Sequence, residues 1–313
     1  MSDYPETVRE FRAAFADDSA CRSYLERIRW PQGPRCPRCP QSEVWVMKPP
    51  FYRCTVCRRD FTVTAGTIFA DTRLPLSLWF EAIWHVVNQK QGASALGVQR
   101  VLGVSYLTAW RWLHKLRRAM VRPGRDRLAG TVEVDEVYLG GERPGKRGRG
   151  ALGKALVLVA AQADGPRIGR IRLARVANAS QAVLTPAVRG IVEPKSQVLT
   201  DDWDGYGGLA EAGYDRQVVR KRAVVGQNWL PRANRVASLL QRWLLGTHQG
   251  AVAHSHLDYY LDEFVFRFNR RRSRSRGLLF YRLIEQALAI GPVRCPQLVG
   301  GAQPQGVGVG GTM

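Results

Sequence analysis

Two groups of residues in this 313-residue chain have types and spacings that can do chemistry. The first is acidic. Glu133, Asp135 and Glu136 lie in the stretch Thr131–Gly141, T-V-E-V-D-E-V-Y-L-G-G, where Val132, Val134 and Val137 alternate with them and Tyr138 and Leu139 continue the apolar character. That composition predicts a strand closed by Gly140-Gly141. Side chains alternate along a strand, so Glu133 and Asp135 share one face and Glu136 points to the other. A carboxylate within an apolar strand is costly to bury unless it is paired or holds a cation. A divalent metal is one reading; an edge strand with its acids in water is the other. The second group is four thiols, Cys36 and Cys39 in C-P-R-C and Cys54 and Cys57 in C-T-V-C. Two C-x-x-C knuckles at this distance can bring four thiolates into a tetrahedron around one structural Zn²⁺. Two redox dithiols would need a β-α-β context, which this stretch lacks. Cys21 and Cys295 remain as inert thiols, and the five histidines show no metal-ligand spacing.

The elements around the cysteines are short. Residues 1–30 form an N-terminal helical segment, with amphipathic helices near Thr7–Phe15 and Ser19–Ile28. Residues 31–70 form the zinc ribbon, in which Val44–Val46 and Phe51–Arg53 read as a hairpin. A module this small cannot be held by core burial, and the metal supplies on the order of 10 kcal/mol of apparent folding free energy. Residues 71–122 are helical. Ala95–Leu102 and Tyr106–Met120 are joined by Gly103-Val104-Ser105, with Ser105 as N-cap, a helix-turn-helix-like pattern. On this reading Tyr106, Thr108, Arg111 and Lys115 line the exposed side of the last helix and contact DNA, while Leu107, Trp110, Leu113 and Leu116 face inward. A plain three-helix bundle would give the same pattern.

After a linker at 123–130, the Asp135 strand is followed by a Gly- and Arg-rich stretch carrying Lys146, Arg147 and Arg149. Strands are expected at Ala155–Ala163 and Ile168–Val176, a helix at Ser180–Val192, and strands at Ser196–Thr200 and Tyr214–Arg220. The order is β-β-β-α-β-α-β-α, an α/β domain with a mixed five-stranded sheet. A helix spans His256–Asn269, in which Asp262 and Glu263 read as structural. The tail 291–313 is rich in Gly, Pro and Val and is expected to be disordered.

Lys and Arg exceed Asp and Glu by 47 − 26 = 21. Such an excess, mostly Arg, points to a polyanionic partner, and the guanidinium fork suits phosphate. The blocks Lys146–Arg149, Arg216–Arg222 and Arg267–Arg276, including Arg270 and Arg271, are candidate phosphate contacts on double-stranded DNA. The polar N-terminus carries no signal peptide, and the longest apolar run, near Ala155–Ala161, is far short of a membrane span. The expected place is the cytoplasm, on the nucleoid.

The motifs V-E-V-D-E-x-Y-x-G-G at 132–141, T-D-x-W-x-G-Y at 200–206, G-T-H-Q-G at 246–250 and Y-L-D-E-F-x-F-R-F-N-R-R at 260–271 resemble those of zinc-ribbon insertion-sequence transposases of the ISXO2-like family. The resemblance runs from about residue 7 to about residue 288. It implies a DDE-type catalytic domain of ribonuclease H-like fold over 128–290, with a first Asp on the central strand and a second just after the fourth. Asp135 matches the first. The residue directly after Thr200 matches the second, which selects Asp201 over Asp202. Many relatives have Glu at a third position on a later helix, and others Asn or His. Here that helix opens P231-R-A-N, and Asn234 is expected to complete a site for Mg²⁺ or Mn²⁺; the alternative is that Asn234 is an N-cap. Seven residues on, the family has a basic residue. This chain has Gln241, with Arg242 beside it as the candidate DNA contact. The implied function is cleavage of the element's terminal inverted repeats and strand transfer into target DNA by a homo-oligomer. The alternative is a catalytically inactive, transposase-derived DNA-binding protein, and a general nuclease is a third reading.

Overall fold

The computed structural model describes residues 4–39, 43–122, 124–140, 154–219, 229–250, 252–293 and 295–299. They fall into two compact units, residues 4–122 with 273–299, and residues 124–272.

The first unit begins with α1 (Val8–Ala14), capped by Thr7, and α2 (Asp18–Arg29), capped by Asp17. A small antiparallel sheet follows, built from β1 (Val44–Val46), β2 (Tyr52–Cys54) and β3 (Asp60–Phe61) in that order. The first two strands are the expected hairpin. The third is an addition, too short to stand out from the sequence, and Arg53 fixes it through two hydrogen bonds to Asp60. Then come α3 (Leu76–Asn88), α4 (Ala95–Leu102) and α5 (Tyr106–Ala119). Gly103 ends α4 with φ 66°, a conformation natural to glycine, and the Ser105 hydroxyl accepts from the Thr108 amide at 3.2 Å to start α5.

The inward face of α5 differs from the expected one. Ala109, Trp112, Leu113 and Leu116 are buried, whereas Leu107 is 49% exposed. The first turn of α5 therefore projects past the core, and the stripe begins at Ala109 rather than Leu107. Trp112 stacks on Trp79 of α3 at 4.2 Å between centroids.

The second unit carries β4 (Thr131–Leu139), β5 (Ala155–Asp164), β6 (Arg167–Val176), α6 (Gln181–Ile191), β7 (Gln197–Thr200), β8 (Asp215–Val218), α7 (Pro231–His248) and α8 (Leu257–Asn269). Its sheet has the order β6-β5-β4-β7-β8. β4, β5 and β6 run antiparallel in succession, while β7 and β8 lie parallel to β4. This is the mixed five-stranded sheet expected of a ribonuclease H-like domain, with β4 at its centre. One face is an apolar layer in which Val132, Val134, Leu156 and Leu158 pack with Leu184 and Val188 of α6 and with Tyr206. Helix α7 packs on β4 and β5, and α8 on β6. An exposed edge strand invites pairing with another chain. On β6 this is prevented at Ile171, whose N–H and carbonyl both bond the Asn269 side-chain amide, at 2.7 and 3.1 Å.

The stretch after residue 272 returns to the first unit. Helix α9 (Arg276–Ala289) buries Phe280 against Phe80 (centroids 5.6 Å apart) and Phe11 (5.5 Å). The expectation of disorder from residue 291 does not hold for its first part. Cys295–Val299 is a short helix, α10, and Val293 and Leu298 are buried. Two apolar side chains with a core to enter are enough to order a few residues of otherwise low-complexity sequence.

Candidate active site

β4 presents three acids, and each has a different environment. The parallel pairing of β4 with β7 matches Thr131 to Gln197, Val132 to Val198 and Glu133 to Leu199. Carried two positions further, the same offset sets Asp135 level with Asp201, immediately past the end of β7. Aligned residues of parallel strands point to the same face. Val132 and Val198 are both in the apolar layer, so Asp135, like Glu133, lies on the opposite face, the one on which α7 packs, with Asp201 level with it just past the end of β7. Asp202 is exposed, while Asp201 is half-buried and its Oδ1 accepts from the Trp203 amide at 3.2 Å. The Asp201 loop is held by Arg216 of β8, whose guanidinium donates to the Asp201 and Trp203 carbonyls and to the Thr200 hydroxyl.

Glu136 points into the apolar layer and accepts a 2.6 Å hydrogen bond from the hydroxyl of Tyr206, which is fully buried. Burial holds the Tyr206 hydroxyl far above the usual phenol range, and the charges of Glu136, Asp135 and Asp201 add to the shift. Trp203 locks the same turn by donating from its indole N–H to the Ala179 carbonyl at 2.7 Å. A Cβ at Gly205 would run into that carbonyl and the indole, so the W-x-G-Y pattern is a packing requirement.

Glu133, on the Asp135 face, is buried and fully engaged. Its Oε2 accepts from the amides of Arg232 (2.6 Å) and Ala233 (3.0 Å), and its Oε1 from the Arg232 guanidinium (2.7 Å). Helix α7 starts at Pro231, with Leu230 in the cap position and no capping side chain of its own. Asn234 thus sits inside the first turn and is not the N-cap. It is half-buried at the margin of the stripe Ala233, Val236, Leu240 and Leu244. Ser238 donates to the Asn234 carbonyl at 2.9 Å, and Ser238, Gln241 and Arg242 are exposed. Asp135, Asp201 and Asn234 offer two carboxylates and one amide carbonyl, hard oxygen donors of the kind Mg²⁺ and Mn²⁺ take.

In the ribbon, the sulfurs of Cys36, Cys39, Cys54 and Cys57 all lie within 4.8 Å of one another. Cys36 Sγ and Cys57 Sγ are 3.8 Å apart. A tetrahedral site with Zn–S bonds near 2.3 Å requires about 3.8 Å between sulfurs. The amides of Arg38 and Cys57 point at the sulfurs of Cys36 and Cys54, each at 3.4 Å. This donor set and its spacing fit a structural Zn²⁺. Cys21 is buried, and its thiol is pushed up to about 12 by that burial, as an inert thiol should be.

The expected DNA contacts fare unequally. Tyr106 is 49% exposed. Arg111 is half-buried. Lys115 was expected on the outer face of α5 but turns inward, donating to the Ile68 carbonyl at 3.2 Å with its ammonium over the Trp79 ring. The rotation of the α5 stripe is the reason. Arg270 lies over the Phe266 ring at 4.1 Å. Arg271 is exposed, yet its guanidinium donates to the carbonyls of Ile168 and Gly169 on β6. Arg267 pairs with the buried Glu263, and Arg272 with Asp164, so much of that basic block is used to hold the fold. Lys146, Arg147 and Arg149 lie outside the described residues, as do Arg220–Arg222. Among the described residues no helix is long and apolar enough to cross a membrane.

The roles of Glu133, Tyr206 and Arg216 were not legible in the sequence. Glu133 carried a signal, an acid on the Asp135 face two positions before that residue, but its partners lie about a hundred residues away.

Comparison with known proteins identifies the family of both parts of the chain. Residues 127–269 match the ISXO2-like transposase domain, and residues 16–60 match the transposase zinc-ribbon domain. Over 277 residues the chain is 30% identical to a protein of Halobacterium salinarum described as an uncharacterized protein in transposable element ISH50, covering 81% of this chain and 91% of that protein.

Proposed function

We propose that this chain, which belongs to the ISXO2-like transposase family, cuts and rejoins DNA at the ends of its own insertion sequence, using Asp135, Asp201 and Asn234 as a divalent-metal site. The observation that carries the reading is the β4–β7 register, which sets Asp135 level with Asp201 on the face where α7 packs. Divalent ions bound there would supply Lewis-acid stabilisation of the charge that builds on the phosphodiester oxygens. The chain's own residues hold that site in shape. Asp135 is fixed by a central strand, Asp201 by Arg216 and Trp203, and Asn234 by the first turn of α7. Two reactions follow in sequence. Water displaces the 3′-oxygen at the element end, leaving a free 3′-hydroxyl and a 5′-phosphate. That hydroxyl then attacks a target phosphodiester, and the target's own 3′-oxygen leaves. Neither step needs a covalent link between protein and DNA. The zinc ribbon and the α4–α5 pair bind the terminal repeats, on chromosomal DNA in the cytoplasm and as a homo-oligomer.

Asn234 gives the second reading its observation. The third ligand is neutral, and no Asp or Glu occurs between Asp215 and Asp258 to replace it. A chain that had lost catalysis but kept the ribbon would bind element ends without cutting them. The test is a reaction containing the flanking element ends, target DNA and Mg²⁺, scored for 3′-end cleavage and strand transfer. Cleavage by the parent but not by Asp135→Ala or Asp201→Ala, with end binding intact in all three, is expected. A parent that binds and never cuts, while Asn234→Glu cuts, gives the binding-only reading.

A further inference from the structure

We infer that Glu133 is a positioning residue for Asn234. The inference rests on the metal-site reading above. The sequence places Glu133 on the same strand face as Asp135, where it could pass for a further metal ligand. The structure gives both of its oxygens another task. They receive the first two amides that α7 can offer, those of Arg232 and Ala233, together with the Arg232 guanidinium, and Glu133 is only 2% exposed. Pro231 has no N–H, and Leu230 supplies no capping side chain. The buried carboxylate therefore does from β4 what a local cap does for other helices, and its charge suits the positive end of the helix dipole.

The same clamp reaches the turn between β5 and β6. Arg232 also donates to the carbonyls of Gly165 (2.8 Å) and Arg167 (3.3 Å). Helix α7 is thus fixed in translation by the carboxylate and in rotation about its axis by the guanidinium. Asn234 is the next residue after the second clamped amide, and Asp135 is two residues after the clamping acid. One strand sets the positions of both. A neutral ligand binds a cation weakly, so its placement decides whether it binds at all.

The test measures Mn²⁺ affinity of the full-length, zinc-loaded chain from the free-ion signal in electron paramagnetic resonance, without DNA. Asp135→Ala provides the baseline for binding elsewhere. Glu133→Gln should weaken site affinity by roughly tenfold or more, the usual effect of losing an outer-shell partner, and Asn234→Ala, which removes the ligand itself, by at least as much. The double variant should be no weaker than Asn234→Ala alone, because Glu133 acts through Asn234. Should Glu133→Gln fail to fold, Glu133→Asp keeps the charge but withdraws the carboxylate by one methylene, and it should show the same weakening and the same lack of additivity. Normal affinity in the Glu133 variants alongside a weakened Asn234→Ala overturns the inference, and so does an additive double variant. An Asn234→Ala chain that binds Mn²⁺ like the parent removes the three-ligand reading itself, and the inference with it.

Discussion

At the residue scale the second unit turns on three acids in one strand doing three things. Asp135 lies level with Asp201, Glu133 caps a helix, and Glu136 accepts from a buried tyrosine. The choice between neighbours at the second aspartate follows from register and exposure. Asp201→Ala is expected to abolish cleavage, and Asp202→Ala to leave it within a few-fold of the parent; the reverse pattern in a cleavage assay would move the site by one residue. Tyr206→Phe removes only the hydroxyl that bonds Glu136. A hydrogen bond to a charged group contributes about 1.5–3 kcal/mol, so the variant's unfolding free energy should fall by about that amount and its denaturant midpoint should fall with it. An unchanged midpoint would mean that the bond contributes nothing to the fold.

At the scale of elements, the ribbon and α8 make separate predictions. The ribbon's strands are two or three residues long, so its order depends on the metal. Protein purified without chelator should carry one zinc per chain, and stripping it should melt residues 31–70; metal analysis that finds no zinc contradicts this. On α8, Asp262 is raised to about 7 by burial, which Arg125 opposes and Asp258 reinforces. Its unfolded value is near 3.9. Between about pH 4 and pH 7 the folded chain holds a proton that the unfolded chain has released, so this group's contribution to stability falls as pH rises through that window and levels off above it. Asp262→Asn should flatten the fall. Equal pH dependence of the unfolding midpoint in parent and variant would show that Asp262 titrates normally in the fold.

At the scale of the whole molecule, the excess of 21 positive charges is the dominant fact. Several arginines are held internally, which leaves that net excess unchanged. Arg232, Arg267 and Arg272 pair with acids, and Arg271 ties down an edge strand. Enough remains that binding to DNA should release many counterions. With about six to ten phosphates neutralised, affinity falls by about 10³–10⁵ between about 50 and about 200 mM salt. A salt titration measured by fluorescence anisotropy checks this, and a flat curve contradicts the charge argument.

The sequence by itself determined whatever depends on local pattern. Cysteine spacing gave the ribbon, strand alternation separated Glu133 and Asp135 from Glu136, and Ser105 marked the start of α5 to the residue. These are short-range matters of side-chain direction and capping, and a chain of one dimension records them. Tertiary structure decided what depends on distant partners. Whether Lys115 faces solvent depends on which face of α5 turns toward the core. That Asn234 is not a cap depends on a carboxylate one hundred positions earlier, Glu133 to the Ala233 amide. That Val293 and Leu298 are ordered depends on a core available to receive them. Burial and pairing are properties of neighbours in space, and residues so far apart in the chain become neighbours only when it folds.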